Sequence, residues 1–245
     1  IYICAAYTWV DGCESNQEKA YTINAIAPGR ISEEANKIGA KVVYFSSDYI
    51  FDGSNGPYNE SSLPNPVNIY GRSKYAGEKE VLEANPEALI VRTTIVFGPE
   101  EQGKNFIYQL VNSLRSGREF KCAKDQIGTP TYNRDLVRLT IGLVKVNAKG
   151  IYNCVGPEIF DRYTFACECA EFLGYDKNLI KGTTTIEDVN HGKAKRGLKL
   201  GLTMDKTAEV LGNYYHPTSL KSSLEDWIKC QRGVFLHSDH QEPFE

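Results

Sequence analysis

The sequence lacks the features that mark a membrane protein, a secreted protein or a nucleic-acid-binding protein. None of its apolar runs approaches the roughly 18 residues of a membrane span, and no signal-peptide pattern opens the 245-residue chain. The net charge is −3, and no stripe of lysine and arginine supplies the basic field that nucleic acid requires. We therefore expect a cytosolic protein that binds neither membranes nor nucleic acids.

Cysteine and histidine give no sign of a disulfide framework or a metal site. The seven cysteines are scattered, odd in number and without a C-x-x-C pair, and the four histidines share no metal-ligand spacing. Several cysteines lie inside apolar runs, which favours free buried thiols in a reducing compartment. No metal is predicted.

A glycine-rich turn is also missing. A dinucleotide site needs such a turn after a strand so that the backbone can approach the pyrophosphate, yet neither G-x-G-x-x-G nor G-x-x-G-x-x-G occurs. The chain begins with Ile1, inside an apolar run. Two explanations are open: a first βαβαβ unit is missing, or the chain does not hold a dinucleotide in the usual way. We favour the missing unit, because a domain rarely begins on a buried strand.

Alternating strand and helix patterns predict an α/β fold with a doubly wound parallel sheet. Three runs, 1–7, 40–47 and 88–98, have the length of strands and are apolar on both alternations, as strands covered on both faces are. Helices are predicted at 15–38, 69–83, 105–117, 134–146, 162–174 and 219–233, with a further strand at 150–156. Pro28 predicts a kink or break in the first helix, and Gly174 a helix end.

Two overlapping Tyr-x-x-x-Lys pairs, Tyr70–Lys74 and Tyr75–Lys79, lie in the predicted helix 69–83. In a chain with 15 tyrosines, chance alone gives about one such pair, so the spacing is weak evidence. Position favours the first pair, because Tyr70 begins the helix near the strand ends while Tyr75 lies about 140° around it. Lys74 shares a helix face with Tyr70, so we expect its ammonium to lower the pKa of that phenol toward neutrality.

Hydroxyl and carboxyl groups follow the predicted strand 40–47. Ser46, Ser47 and Asp48 stand where parallel strands deliver functional groups, at their carboxyl ends. A tuned phenol such as Tyr70 donates a proton to a carbonyl being reduced or accepts one from an alcohol being oxidised. A hydroxyl from Ser47 would hold the carbonyl oxygen in place.

A run of ordered motifs carries a resemblance to a known family. "AAYTWVDGCES", "FSSDYIFDG", "NPVNIYGRSKYAGEKEVL", "VRTTIVFG", "DQIGTPTYNRDLV" and "GIYNCVGPEIFDRYTFA" resemble the extended short-chain dehydrogenase/reductases, and more narrowly their dTDP-4-dehydrorhamnose reductase (RmlD-like) branch, over residues 1 to about 212. The resemblance implies an NADPH- or NADH-dependent reduction of the C4 ketone of a nucleotide-linked 4-keto-6-deoxy sugar. It also implies a Rossmann-type domain over 1–232, lacking its N-terminal unit, with a C-terminal substrate-binding cap mainly from 100–130 and 155–212. Residues 233–245 would be a tail, and a homodimer is compatible with this organisation.

The resemblance assigns roles to individual residues. Tyr70 would be the catalytic acid, Lys74 would bind the nicotinamide ribose, and Ser47 would contact the substrate carbonyl. The cofactor-binding set would be Ala5, Ala6, Tyr7, Thr8, Ser46, Tyr70, Lys74 and Thr93. The substrate-binding set would be Ser47, Asp48, Thr94, Ile95 and Arg196.

Two departures from the family pattern leave alternatives open. Ile95 stands where the rhamnose reductases commonly have a tryptophan that packs on the sugar, and an aliphatic side chain lacks that flat surface. Similar replacements occur in relatives that resemble the regulatory β subunit of methionine adenosyltransferase. Arg196 lies in the basic run 193–199, which suits either a diphosphate site or a solvated loop. Besides the reductase, a non-catalytic regulatory subunit and another extended reductase or epimerase therefore remain candidates.

Overall fold

A computed structural model describes residues 1–185 and 194–235 of the chain. Its strands are β1 (Tyr2–Ile3), β2 (Val43–Ser47), β3 (Leu89–Thr93), β4 (Val96–Phe97), β5 (Phe120–Ala123), β6 (Ile127–Gly128), β7 (Thr131–Tyr132), β8 (Gly150–Asn153), β9 (Phe160–Asp161) and β10 (Ile180–Thr183). Its α-helices are α1 (Val10–Ser15), α2 (Gln17–Tyr21), α3 (Ala27–Lys37), α4 (Ile69–Ala84), α5 (Phe106–Arg115), α6 (Asn133–Lys145), α7 (Arg162–Phe172), α8 (Asp205–Leu211) and α9 (Leu220–Phe235). No helix in these two ranges is both long and apolar enough to cross a membrane.

The predicted parallel sheet is confirmed. Strands β1, β2, β3 and β8 lie side by side in that order, and all three pairings are parallel. Successive residues of β3 face opposite sides: Leu89 and Val91 pack in a cluster with α6 and α8, while Ile90 packs with α3 and α4. Both faces are covered, which explains why the strand sequences are apolar on both alternations.

All four predicted strands are shorter than expected, and for two of them the structure shows why. In β1 only Tyr2 and Ile3 pair with β2, because the chain leaves the sheet and the backbone of Tyr7 binds the side chain of Asn24 instead. The run 88–98 is divided into β3 and β4 at Ile95, whose φ of 42° no strand residue adopts.

The predicted helix 15–38 is a chain of short segments. A π-helical turn, Thr22–Ile26, connects α2 to α3, and the N–H of Ala27 donates to the carbonyl of Thr22 within it. Pro28 occupies the first turn of α3, and its missing N–H leaves the carbonyl of Asn24, four residues earlier, without a helical donor. The kink or break expected at Pro28 is therefore replaced by a π-helical turn directly before α3, and the chain remains helical through the proline.

The later helices agree with the sequence prediction to within a few residues. Gly174, just beyond α7, has a φ of 77°, as a helix-terminating glycine requires. Helix α9 runs through Phe235, two residues beyond the end predicted for it, and the tail over 233–245 remains a prediction. The rest of that predicted tail, 236–245, lies outside the described residues.

A second apolar cluster forms beside the sheet. It is built by α5, α7, β5 and α9, around Phe165 and Trp227. Residues 200–211 pack in the first cluster, with α6 and α8, whereas 220–228 pack in the second. The boundaries expected for the substrate-binding cap remain a prediction. All seven cysteines are free, as predicted, and four of them are buried.

Candidate active site

The first turn of α4 brings Tyr70 to the carboxyl ends of β2 and β3. Asn68 caps the helix, since its side-chain oxygen accepts from the N–H of Gly71 at 2.8 Å. A Cβ on Gly71 would lie 2.0 Å from the carbonyl oxygen of Tyr49, so only glycine allows the helix to approach this closely. Ser47 is the last residue of β2 and pairs with Thr93, the last residue of β3.

Tyr70 is half-buried among these groups. Its ring lies edge-on to Tyr49, with 5.6 Å between the centroids, and its hydroxyl is hydrogen-bonded to the side chain of Ser47. Burial raises the pKa of Tyr70 above its ordinary value, and the Ser47 hydrogen bond offsets this only in part. The prediction that Lys74 lowers the pKa of Tyr70 is therefore wrong. Removal of the phenol from water raises this pKa by more than the hydrogen bond with Ser47 lowers it.

Lys74 is almost completely buried, at 2% exposure. Its Nζ donates to the carbonyl oxygen of Phe45 at 2.6 Å and lies 4.1 Å from the centroid of the Tyr44 ring. Burial lowers the pKa of Lys74 to about 7, while the carboxylate of Glu78 acts in the opposite direction. The structure thus brings Tyr70 to Ser47 at the carboxyl end of β2, and it places the Nζ of Lys74 against the same strand, two residues earlier, at Phe45. Tyr75, of the rival pair, packs against the first core cluster instead, with Lys79 over its ring.

Glu78, whose negative charge acts on Lys74, belongs to a buried ion pair that the sequence did not predict. Glu78 accepts two hydrogen bonds from Arg92, at 2.9 and 2.7 Å, and both side chains are 2% exposed. Glu78 stands four residues after Lys74 on α4. The i, i+4 spacing of these opposite charges indicates that the two side chains are neighbours. The partner, Arg92 of β3, could not be read from local spacing.

Asn24 is a second residue that sequence reasoning missed. It is fully buried in the π-helical turn, and its side chain binds both the N–H and the carbonyl of Tyr7 and the hydroxyl of Ser73. Its own carbonyl accepts from the hydroxyl of Tyr44 at 2.6 Å. Pro28 has no N–H to occupy that carbonyl from one turn further on, so the carbonyl is left for Tyr44.

Two buried hydroxyl groups at the strand ends fit a nicotinamide cofactor. The Oγ of Ser46 and the Oγ1 of Thr93 have no hydrogen-bond partner within the described residues, although both are buried. Unpartnered buried polar groups are costly, which points to a polar ligand at this edge. The predicted loop of Ala5, Ala6, Tyr7 and Thr8 lies between β1 and α1, and Tyr7 packs in the same small cluster as Tyr70.

A small cleft, open to solvent, lies beside this edge. Its polar wall includes Asp48, Thr94, Gln126 and Arg162. Asp48 is buried and accepts hydrogen bonds from Ser47 and Thr94, yet burial still raises the pKa of its carboxyl group, against the nearby positive charge of Arg162. Arg162, at the start of α7, was not predicted as a site residue.

The apolar wall of the cleft includes Ile95, Ile127 and Leu200. Ile95 holds a left-handed backbone conformation that is rare for a β-branched residue. A Cβ on Gly128 would lie 2.8 Å from its Cδ1, so the glycine leaves room for the isoleucine. The predicted substrate-binding residues Asp48, Thr94 and Ile95 therefore share one cleft.

Arg196 lies near this cleft but is already paired. Its Nη2 donates to Asp11 at 2.9 Å, while its Nη1 is buried without a partner in the part of the chain that the structure describes. The next residue, Gly197, lines the cleft. Lys193, which begins the basic run, lies outside the described residues.

The family model described as "RmlD substrate binding domain" matches residues 1–231. The chain belongs to this family. The match confirms the resemblance that the ordered motifs carried, and it includes the edge with Tyr70 and Lys74 and the cleft with Ile95.

Curated members of this family align with about three quarters of the chain. The spore coat polysaccharide biosynthesis protein SpsK of Bacillus subtilis is 36% identical over 74% of this chain and 63% of its own length. A dTDP-4-dehydrorhamnose reductase of Mycobacterium tuberculosis is 33% identical over 75% of this chain and 62% of its length. The methionine adenosyltransferase 2 subunit beta of Xenopus tropicalis is 34% identical over 74% of this chain and 56% of its own length. The chain thus matches less than two thirds of the length of these relatives.

Solved structures of the family share the fold. A dTDP-4-dehydrorhamnose reductase of Clostridium acetobutylicum superimposes with a TM-score of 0.85 at 34% identity, covering 94% of this chain and 79% of that chain. A dTDP-4-dehydrorhamnose reductase of Bacillus anthracis, solved in complex with NADP, gives a TM-score of 0.84 at 32% identity. The match covers 92% of this chain and 78% of that chain. The Rossmann-type architecture expected from the sequence is confirmed.

Proposed function

We propose that the protein is an NAD(P)H-dependent reductase that acts on the C4 ketone of a nucleotide-linked 4-keto-6-deoxy sugar. The observation that carries the proposal is the convergence of Ser47, Tyr70 and Lys74 on strand β2, next to the hydroxyls of Ser46 and Thr93, which have no partner among residues 1–185 and 194–235. These groups are the ones needed to hold a nicotinamide and to protonate a carbonyl. When bound, the nicotinamide supplies the hydride.

The chain's own residues handle the oxygen and its proton. Because the pKa of Tyr70 is raised, its hydroxyl carries a proton at neutral pH and can donate it to the alkoxide that develops from the ketone. Ser47, hydrogen-bonded to Tyr70, orients the carbonyl oxygen. The ammonium of Lys74 stabilises the negative charge left on Tyr70 and, in the family, binds the ribose of the cofactor.

The cleft beside Ser47 would take the sugar. Its polar wall offers Asp48 and Arg162 to ring hydroxyls, and Ile95 and Leu200 offer an apolar surface to the deoxygenated part of the sugar. Arg196 would use its unpartnered Nη1 on an oxygen of the diphosphate. NADPH is the first cofactor to assay, since the B. anthracis relative is solved with NADP, and NADH is the second.

The assay is oxidation of NADPH, and separately of NADH, in the presence of dTDP-4-dehydrorhamnose, with the product identified by mass spectrometry and NMR. We expect a product two mass units heavier than the ketosugar, with a new hydroxyl at C4. Binding of cofactor without turnover of any nucleotide-linked ketosugar would contradict the reductase. A product changed at C3 or C5 would instead indicate an epimerase activity.

The second candidate is a regulatory subunit, which the 34% identity with the methionine adenosyltransferase 2 subunit beta favours, together with the aliphatic Ile95. Such a subunit would bind a second enzyme through its surface. Purification from the source cell, followed by native mass spectrometry, distinguishes the candidates: a partner at fixed stoichiometry supports the subunit, whereas the chain alone or as a homodimer supports the enzyme.

A further inference from the structure

We propose that Asp11 and Glu14, on helix α1, are positioning residues with separate tasks: Glu14 holds Tyr70 in place and Asp11 holds Arg196. The inference rests on the proposed function, since it concerns the placement of a proton donor and of a substrate-binding arginine. Neither carboxylate is expected to touch the substrate or the cofactor.

Glu14 acts on the first residue of the catalytic helix. Its Oε1 accepts from the N–H of Ile69 at 2.8 Å, and Ile69 directly precedes Tyr70. The first N–H groups of a helix have no partner within the helix, and a carboxylate beside them also interacts favourably with the helix dipole. Asn68 satisfies the N–H of Gly71 from within the same turn. Glu14 comes from a different element, so it fixes where the turn stands relative to α1.

Asp11 acts on the segment that leads into the cleft. Its Oδ2 accepts from the Nη2 of Arg196 at 2.9 Å, and its Oδ1 accepts from the N–H of Ala194 at 3.1 Å. One carboxylate therefore holds both the backbone and the guanidinium of this segment. The arrangement leaves the Nη1 of Arg196 buried and without a partner among the residues that the structure describes, so this donor is available for a ligand.

The two tasks meet at the N-cap of α4. The Nδ2 of Asn68 donates to the carbonyl of Lys195 at 2.8 Å, so the residue that caps the catalytic helix also binds the segment that Asp11 holds. Asp11 and Glu14 are three residues apart on one helix and therefore share a face. Helix α1 thus presents one carboxylate to each side of the proposed active site.

Separate tasks predict opposite kinetic signatures. Glu14→Ala should lower kcat by about 10-fold or more, because a small displacement of a catalytic group is enough for such a loss, while the KM for the sugar nucleotide changes by less than about 2-fold. Asp11→Ala should raise that KM by about 10-fold and leave kcat within about 2-fold.

Conservative variants separate positioning from a loss of folding. Glu14→Gln keeps an acceptor oxygen for Ile69, so it should recover most of kcat. Asp11→Asn keeps an acceptor for Ala194 but loses the charge that holds Arg196, so its KM should lie between wild type and Asp11→Ala. Glu18→Ala removes an exposed carboxylate from the neighbouring helix α2 and should leave both constants unchanged. The same parameter changing in both alanine variants, or neither changing, would overturn the proposal.

Amide hydrogen exchange tests the placement without any turnover. In the wild-type protein the N–H of Ile69 should be protected, and Glu14→Ala should speed its exchange by about 10-fold while Glu14→Gln restores protection. Unchanged exchange in Glu14→Ala would overturn the proposal even if the enzyme is active. If no ketosugar is reduced but exchange responds as expected, the proposed function fails and the structural part of the inference stands.

Discussion

At Lys74 and Tyr70, burial has a larger effect on the pKa values than the spacing of the two residues. The sequence placed the pair on one helix face, and in the structure Tyr70 meets Ser47 while Lys74 reaches Phe45 of the same strand. The sequence did not show that Lys74 donates to the carbonyl of Phe45, or that the pKa of the half-buried Tyr70 is raised. Local spacing predicts which residues share a face, but desolvation depends on the packing of the whole site.

The lowered pKa of Lys74 predicts how stability changes with pH. In the unfolded chain this lysine titrates near 10.5, and in the folded protein burial brings its pKa to about 7. Between these values the unfolded chain binds more protons, so the free energy of unfolding should rise with pH from about 7 toward 10, by at most about 1.4 kcal/mol per pH unit. Below pH 7 this contribution is constant and unfavourable.

Urea unfolding of wild type, Lys74→Met and Lys79→Met between pH 6.5 and about 9.5 measures this effect. Lys74→Met should flatten the rise. Lys79→Met, which changes the exposed lysine of the second pair, should retain it. The range stops short of pH 10 because Tyr44 and Tyr70 have raised pKa values and would destabilise the fold above it. A rise of equal size in all three proteins would show that Lys74 is charged when folded.

The buried pair of Arg92 and Glu78 predicts strong coupling. Arg92→Met leaves Glu78 buried without its partner and should cost about 3–5 kcal/mol in the free energy of unfolding. The double variant Arg92→Met/Glu78→Leu should be more stable than Arg92→Met, since no unpaired charge remains. Lys149→Met breaks the exposed pair with Glu87 and should cost less than about 1 kcal/mol. Equal losses at the two sites would contradict the role of burial.

Helix α4 is the element that carries the site, and glycine sets how closely it packs. A Cβ on Gly77 would lie 2.1 Å from the carbonyl oxygen of Asn24 and 2.5 Å from the hydroxyl of Tyr44. The hydroxyl of Tyr44, on β2, donates to this carbonyl in the π-helical turn, so neither atom can move without breaking that hydrogen bond. The sequence predicted the helix well, because its Lys, Glu and Ala content is typical of a helix. It did not show on which face glycine lets a neighbouring segment approach closely.

Replacing a glycine inside α4 should destabilise the protein more than replacing a glycine inside α6. Gly77→Ala should destabilise the protein by about 2–3 kcal/mol or more through overpacking. Gly142→Ala in α6 meets only the flexible end of Leu211, at 3.1 Å, and should change stability by less than about 1 kcal/mol because the helix propensity of alanine offsets the contact. Thermal and urea unfolding of both variants checks this. A neutral Gly77→Ala would mean that α4 and the π-helical turn are not in contact in solution.

Other elements show where sequence patterns stop being informative. The apolar runs located β2 and β3, because strands covered on both faces need such runs, but nothing in them showed that Ile95 would interrupt 88–98. Pro28 signalled a disturbance in the helix 15–38, and the structure places it one turn earlier, as a π-helical turn. Patterns gave the type of each element more reliably than its limits.

On the scale of the molecule, the site lies where segments from distant parts of the chain meet. The sequence predicted Ser47, Tyr70, Lys74, Asp48, Thr94 and Ile95 as site residues from their places near strand ends or at a helix start, and these roles remain predictions. It missed Asn24, Glu14 and Arg162, and it gave no sign that Asp11 binds Arg196, 185 positions away. Contacts of that range follow from the fold and leave no periodic signal in a single sequence.

Family membership and local geometry support the reductase in different ways. The family model covers residues 1–231, which include the edge with Tyr70 and the cleft. Membership alone does not separate the reductase from the regulatory subunit, since relatives of both kinds align with the chain at 33–34% identity. A buried Lys74 and two unpartnered hydroxyls at the strand ends favour the enzyme, because a purely structural subunit gains nothing from them.

The most direct test of the account is the rate of NADPH oxidation with dTDP-4-dehydrorhamnose for Tyr70→Phe compared with Tyr75→Phe. Both variants remove one hydroxyl from the same helix and leave the ring in place. If Tyr70 is the proton donor, Tyr70→Phe should lose about 10²-fold or more of kcat while Tyr75→Phe stays close to wild type. Comparable losses in both variants, or full activity in Tyr70→Phe, would contradict the assignment of the active site.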